Sequence, residues 1–349
     1  MSIIRYYVSG HTAEGYQNRL KSNIEGVKKK IFLNHPSLTL KTRIFEYIIE
    51  RYQSSFDLDV FCSSWSHHFM EGVVIRDLSI AIMDGTLDSG DFPGATYLDI
   101  TEMDKGNRSG LENLNSVHVG LEELKGRAYK EFETALAIHD DLEAIYIREM
   151  DFQRADQLIE QFISNQVSHI PMKHTAPHQY HRMFGTNTVE GAVNIALELM
   201  DPIPKRYILK GRAGTGKSVF MKRVAKACEQ RNLDLELYHC SFDPSSIDMV
   251  LVRNEFCILD GTSPHEINPE RTSDDIIDLY EKTVTPGTDE NYEEEIRTVT
   301  KRYKTHMKKG LHHLKDAGKV LFEKEAEFIR CITEETQQAI FANVSAHVD

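Results

Sequence analysis

Apolar residues along the chain come in short runs separated by longer stretches of mixed polarity. Runs at residues 31–33, 58–62 and 78–83 read as strands, and so do runs at 207–209, 235–240 and 256–259. Short strand-like or loop segments lie at 6–10 and 183–186, each followed by a helix that leads into the next strand. Residues 41–52 and 217–230 read as helices between the first and second runs. Strands alternating with helices predict an α/β fold with parallel sheets flanked by helices on both faces. Residues 110–164 and 290–348 are rich in Glu and Lys and poor in Gly and Pro. Leu136, His139, Leu142, Ile145 and Glu149 recur every three or four residues, as a helix requires. These two regions are expected to form helical hairpins that extend from each sheet.

The order of elements repeats because the sequence repeats. Shifted by 176 residues, Thr12, Glu14, Gly15 and Asn18 fall on Thr188, Glu190, Gly191 and Asn194. At the same shift the Asp-Gly-Thr triplet ending at Thr86 falls on the one ending at Thr262, and Glu149 and Phe152 fall on Glu325 and Phe328. A period this long belongs to a domain duplication, not to a solenoid. The stretch 166–181, rich in His and Pro without apolar periodicity, reads as the linker. The expected domains are residues 1–170 and 171–349.

Only the second copy carries a complete phosphate-binding motif. Gly211-Arg212-Ala213-Gly214-Thr215-Gly216-Lys217-Ser218 satisfies G-x-x-x-x-G-K-[ST], with an apolar strand before it and a helical run from Val219 after it. The glycines let the backbone curl so that successive N–H groups point at one anion, and the helix N-terminus faces the same anion. Residues 211–219 are therefore the expected binding set for a nucleoside triphosphate, ATP, with Lys217 bridging its outer phosphates and Ser218 ligating Mg²⁺. The run 256–259 ends in Asp260, placed to hold Mg²⁺ through a water. Lys217 and Asp260 are the expected catalytic pair. Gly261, not Glu, follows Asp260, so a water-activating base must come from elsewhere, and Asp243, His265 and Glu266 are the candidates. Thr262 is placed to meet the γ-phosphate, and Arg253 and Arg271 are candidates for neutralising charge on it. His239 and Cys240 are adjacent, but no second pair stands at ligand spacing.

In the first copy His35, Leu38 and Leu40 stand where Gly211, Gly214 and Gly216 stand in the second, although Lys41, Thr42 and Asp84 match Lys217, Ser218 and Asp260. Side chains at the glycine positions oppose the tight wrap, so this copy is expected to be a degenerate NTPase domain.

Composition narrows the partners. The formal net charge of −13 repels phosphate backbones, so nucleic acid is not the expected partner. Five cysteines without a C-x-x-C pair suit free thiols in the cytoplasm. No apolar run approaches the length of a membrane span.

The segments YILKGRAGTGKS, ELYHCSFDPSSIDMVLVR, ILDGTSPHE, DDIIDLYE and IHDDLEAIYIREMDF together resemble an uncharacterised bacterial family of two-copy P-loop ATPases. The resemblance implies ATP binding and hydrolysis, with Lys217, Ser218 and Asp260 at the nucleotide and Mg²⁺. Members usually keep the P-loop in both copies; here the first has lost it. The leading expectation is a Mg-dependent ATPase whose helical extensions pass a conformational change to a protein partner. A phosphotransferase acting on a nucleotide or small molecule, and a nucleotide-dependent interaction module with little turnover, are the alternatives. The sequence is compatible with an oligomer as well as a monomer.

Overall fold

The computed structural model describes residues 1–90, 92–103, 114–263 and 266–349. Its centre is a pair of six-stranded sheets with the same topology. The first contains β1 (Ile3–Tyr7), β4 (Lys29–Asn34), β5 (Leu58–Cys62), β6 (Met70–Ile75), β7 (Ile80–Asp84) and β8 (Thr96–Asp99), in the order β1-β5-β6-β7-β4-β8. The second contains β9 (Gln179–Arg182), β12 (Lys205–Lys210), β13 (Leu235–His239), β14 (Ile247–Val252), β15 (Phe256–Asp260) and β16 (Asp274–Asp278), in the order β9-β13-β14-β15-β12-β16. Each strand of one sheet has its counterpart at the same place in the other, so the duplication seen in the residues is a duplication of topology.

The sheets are mixed, which corrects the expectation of parallel sheets. β6 and β14 run against both neighbours, while the remaining pairings are parallel. The reversal is made by tight turns in which Ser79 (φ 57°) and Asn254 (φ 70°) take left-handed backbone. Leu78, read from the sequence as strand, lies in the first of these turns and is exposed. Two further hairpins, β2 (Ser9–Thr12) with β3 (Gly15–Asn18) and β10 (Gly185–Thr188) with β11 (Gly191–Asn194), occupy the segments where the Thr-x-Glu-Gly match was found.

The sheets face one another. Short helices α1 (Leu20–Ile24) and α5 (Ala196–Met200) fill the space between them, and one apolar cluster runs from Tyr6, Phe32 and Phe61 through Leu199 to Tyr238 and Leu259. Tyr7 and Met183 exchange backbone hydrogen bonds of 3.0 and 2.9 Å where the copies meet. Arg182, buried there, donates to Glu236 at 2.6 Å and lies over the Tyr6 ring at 3.7 Å. Paired in this way, a buried guanidinium is tolerated.

The outer faces are covered by exchange. α2 (Leu38–Tyr52) lies on the first sheet and α6 (Lys217–Glu229) on the second. Beside α6 lies α4 (Phe152–Phe162), whose Phe162 ring packs edge-on against Tyr207 and Phe220. Beside α2 lies the C-terminal helix α10 (Glu334–Val348), with Phe341 stacked on Tyr47 at 4.8 Å. Each copy's terminal helix thus completes the core of the other copy's sheet.

The expected hairpins are also corrected. Each segment forms a long helix, α3 (Leu114–Arg148) or α9 (Glu293–Cys331), followed by the shorter α4 or α10, and the two long helices pair antiparallel with each other across the copies. Arg148 meets Glu295, Asp141 meets Arg302, Glu131 accepts from His306, and Leu121 packs with Leu321. At the centre the Phe132 ring presses so closely on α9 that a Cβ on Gly310 would come within 2.3 Å of it. Two short helices, α7 (Leu279–Thr283) and α8 (Thr288–Asn291), connect β16 to α9. Among the described residues no helix is long and apolar enough to cross a membrane. Cys62, Cys228, Cys240 and Cys257 are free.

Candidate functional site

The motif 211–218 joins β12 to α6 at the C-terminal edge of the second sheet, where parallel strands and helix N-termini converge. Gly214 and Gly216 have φ of 74° and 84°, the left-handed backbone an L side chain resists. Gly216 caps α6 without a side chain, which leaves the first N–H groups of the helix facing the loop. Thr215, almost wholly buried, ties the loop to itself by donating from Oγ1 to the Arg212 carbonyl at 2.9 Å.

The side chains of the motif converge on this loop. Lys217 Nζ donates to the Arg212 carbonyl at 2.7 Å and lies 3.7 Å from Asp260 Oδ2. β15 neighbours β12 directly, which brings Asp260 to the loop. Asp260 Oδ1 accepts from the N–H and hydroxyl of Thr262 at 2.9 and 2.5 Å. Ser218 Oγ accepts from Ile247 N–H at 3.2 Å. Lys210, at the end of β12, donates to the carbonyls of Gly261 and Ile267 and so holds the segment after Asp260 in place. Val219, by contrast, turns its side chain to solvent.

The other sequence candidates separate. Asp243 lies in the loop after β13, on the same edge of the sheet, and accepts from the Ser246 and Ser245 hydroxyls. Burial works to raise its carboxyl, but the bonds from Ser246 and Ser245 prevail and hold it below the usual carboxylate range, which suits an anchor better than a proton acceptor. Glu266 is exposed, and His265 lies outside the described residues. The two arginines are removed from the loop. Arg253 follows the antiparallel β14 at the opposite edge and pairs with Glu236, while Arg271 pairs with Asp201 beside the start of β16. His239 meets His181 at 2.9 Å and the Pro244 carbonyl at 3.0 Å, and burial depresses its imidazole to about 3. Burial raises the Cys240 thiol well above its usual range. The described residues group neither with a third metal-ligand side chain.

A component absent from the sequence reading covers the loop. α3, from the first copy, crosses its crest: a Cβ on Gly214 would lie 2.5 Å from the Glu143 carbonyl oxygen, and one on Gly216 would lie 3.5 Å from Cε of Met150, just after α3. Arg212 pairs with Asp289 at 2.8 Å and lies over the Tyr280 ring at 4.7 Å, and Tyr146 of α3 donates to Asp289 at 2.9 Å. Only the three- and four-residue spacing of α3 was visible beforehand, and that spacing says nothing about which loop the helix crosses.

The first copy has a different structure at the matching positions. α2 begins at Leu38 with Ser37 as its N-cap, whereas α6 begins at Lys217. Positions 38–40, the counterparts of 214–216, are therefore the first turn of a helix. The Glu325 carboxylate of α9 accepts from Leu38 N–H at 2.8 Å, Thr39 N–H at 2.9 Å and the Ser37 hydroxyl at 2.7 Å. Lys41 and Asp84 close on each other as a buried pair. Next to Asp84, Glu71 is fully buried among Ser9, Ser63 and Ser64, and burial pushes its carboxyl up to about 7.

Compared with known proteins, the chain matches no family model, no curated protein and no solved structure.

Proposed function

We propose that the second copy binds Mg-ATP in the loop 211–218 and hydrolyses it, as a two-copy P-loop ATPase would. The observation that carries this reading is the joint placement of the two left-handed glycines, the uncapped start of α6, and Lys217 within 3.7 Å of Asp260 on the adjacent strand. Backbone N–H groups of residues 213–218 would take the phosphate oxygens, and Lys217 would leave the Arg212 carbonyl to meet them. Ser218 and Asp260 offer hydroxyl and carboxylate oxygen, the hard donors that Mg²⁺ prefers, and the ion would add charge neutralisation of the phosphates. α3 rests on the loop crest and pairs with α9 along its length. The helix pair is therefore the element through which a filled loop would act on a protein partner.

The test is Mg-ATP binding and phosphate release by the purified protein beside Lys217→Ala. Loss of either in the variant supports the reading, whereas unchanged affinity and turnover would remove the P-loop from the function. Phosphotransfer is kept as a second reading because Gly261 follows Asp260 where many hydrolases place a Glu, and a cleft opens beside the loop. ATP consumption that yields no free phosphate would select it.

A further inference from the structure

Beside the P-loop, between α3 and α9, lies a cleft of roughly 860 Å³. One end is formed by Arg212 and Ala213 of the loop, and Leu142, Tyr146 and Ile296 supply apolar surface. Along α9 the cleft is lined by Lys301, Lys304 and Lys308. Their spacing places them on one stripe of the helix, about 10 Å long at 1.5 Å per residue. Arg212 and Arg297, which also line the cleft, are neutralised by Asp289 and Glu294. The three lysines have no ion-pair partner among the described residues, in a chain whose net charge is −13.

We infer that this cleft binds a small organic anion carrying two or more phosphate or carboxylate groups, next to the nucleotide loop. Like charges aligned on one helix face repel each other, and a multiply charged anion would relieve that repulsion. The volume suits a metabolite-sized ligand, and the apolar wall would take its uncharged part. An extended polyanion fits less well, because Asp289 and Glu293 stand at the loop end of the cleft and the surrounding charge is negative. The inference deepens the ATP reading by giving it a second ligand, but the lysine stripe stands without it.

The experiment titrates inorganic tripolyphosphate, without Mg²⁺, into Lys217→Ala protein, so that the P-loop competes least. The comparison is the same protein with Lys301→Gln, Lys304→Gln and Lys308→Gln added. Removing three unpaired cations is expected to weaken binding by about tenfold or more, and more salt to weaken it further. The same charge change outside the cleft, Lys28→Gln with Lys226→Gln and Lys315→Gln, should shift affinity by no more than about threefold, because none of these lysines lines the cleft and screening fades interactions beyond about 10 Å. Thermal melts confirm that all variants fold. The inference is overturned if tripolyphosphate does not bind, if the cleft and control triples weaken it equally, or if a single-stranded oligonucleotide binds the lysines more tightly than tripolyphosphate. None of these outcomes bears on Mg-ATP affinity, so failure here and failure of the P-loop reading are told apart.

Discussion

Lys41 Nζ lies 2.6 Å from Asp84 Oδ2, and both side chains are almost completely buried. In the second copy the matching pair, Lys217 and Asp260, stands 3.7 Å apart and is more exposed. The first pair is closed on itself; the second is looser and more accessible to solvent. Lys41→Ala would leave a buried carboxylate without its counter-charge and is expected to cost ~3–5 kcal/mol of stability. Urea unfolding measures this, and Mg-ATP titration of the folded variant should match wild type. A variant that melts normally but binds ATP weakly would show that the first copy takes part in nucleotide binding.

Glu325 accepts two backbone N–H groups and one hydroxyl at the start of α2, from a helix 287 residues further along the chain. Glu325→Ala would strand buried donors and is expected to lower stability by ~1–3 kcal/mol. Glu325→Gln keeps one acceptor oxygen and should lose less. Equal melting of wild type and Glu325→Ala would contradict the capping role.

Gly214→Ala and Gly216→Ala separate two constraints. Both positions have positive φ, which costs a side chain ~1–2 kcal/mol. Only Gly214 also meets backbone, that of Glu143, which is not free to move aside. Gly214→Ala should therefore melt lower than Gly216→Ala and displace α3. Hydrogen exchange of α3 amides in the two variants checks this; equal protection would count against the contact.

Stability should fall on acidification. Burial depresses the His11 and His239 imidazoles to about 3 and that of His35 to about 4. Depressed imidazoles stay neutral when folded, so the unfolded chain binds more protons below about 6.5 and stability declines from there towards the folded values. Glu71 acts with opposite sign. Its carboxyl, raised to about 7, binds a proton more tightly when folded, so its contribution is present at low pH and lost as pH rises from about 4.5 to about 7. Between pH 7.5 and 5 the histidines outnumber it. Glu71→Gln should make the loss on acidification steeper, as urea midpoints at the two pH values will report. An unchanged slope would show that Glu71 is ionised in the folded protein.

The sequence by itself determined what depends on neighbours along the chain. Gly214, Gly216 and Lys217 belong to a motif whose backbone requirements are local, and the two Asp-Gly-Thr triplets reveal the repeat whatever the packing. Leu38 and Leu40 stand where the second copy has Gly214 and Gly216, a difference that the sequence alone displays. It did not show that those residues would wind into a helix turn.

The tertiary structure decided everything that joins distant segments. Antiparallel β6 and β14 depend on tight turns at Ser79 and Asn254, where apolar patterning carries no sign of direction. The spacing of α3 and α9 predicts an amphipathic helix equally well for a hairpin within one copy or a pairing across copies, because an apolar stripe does not specify its partner. Glu325 on Leu38, Glu143 on Gly214 and the lysine-lined cleft exist only once that pairing is made. Hydrophobic burial is non-directional, and close packing of the folded chain selects among arrangements that the local pattern leaves equal.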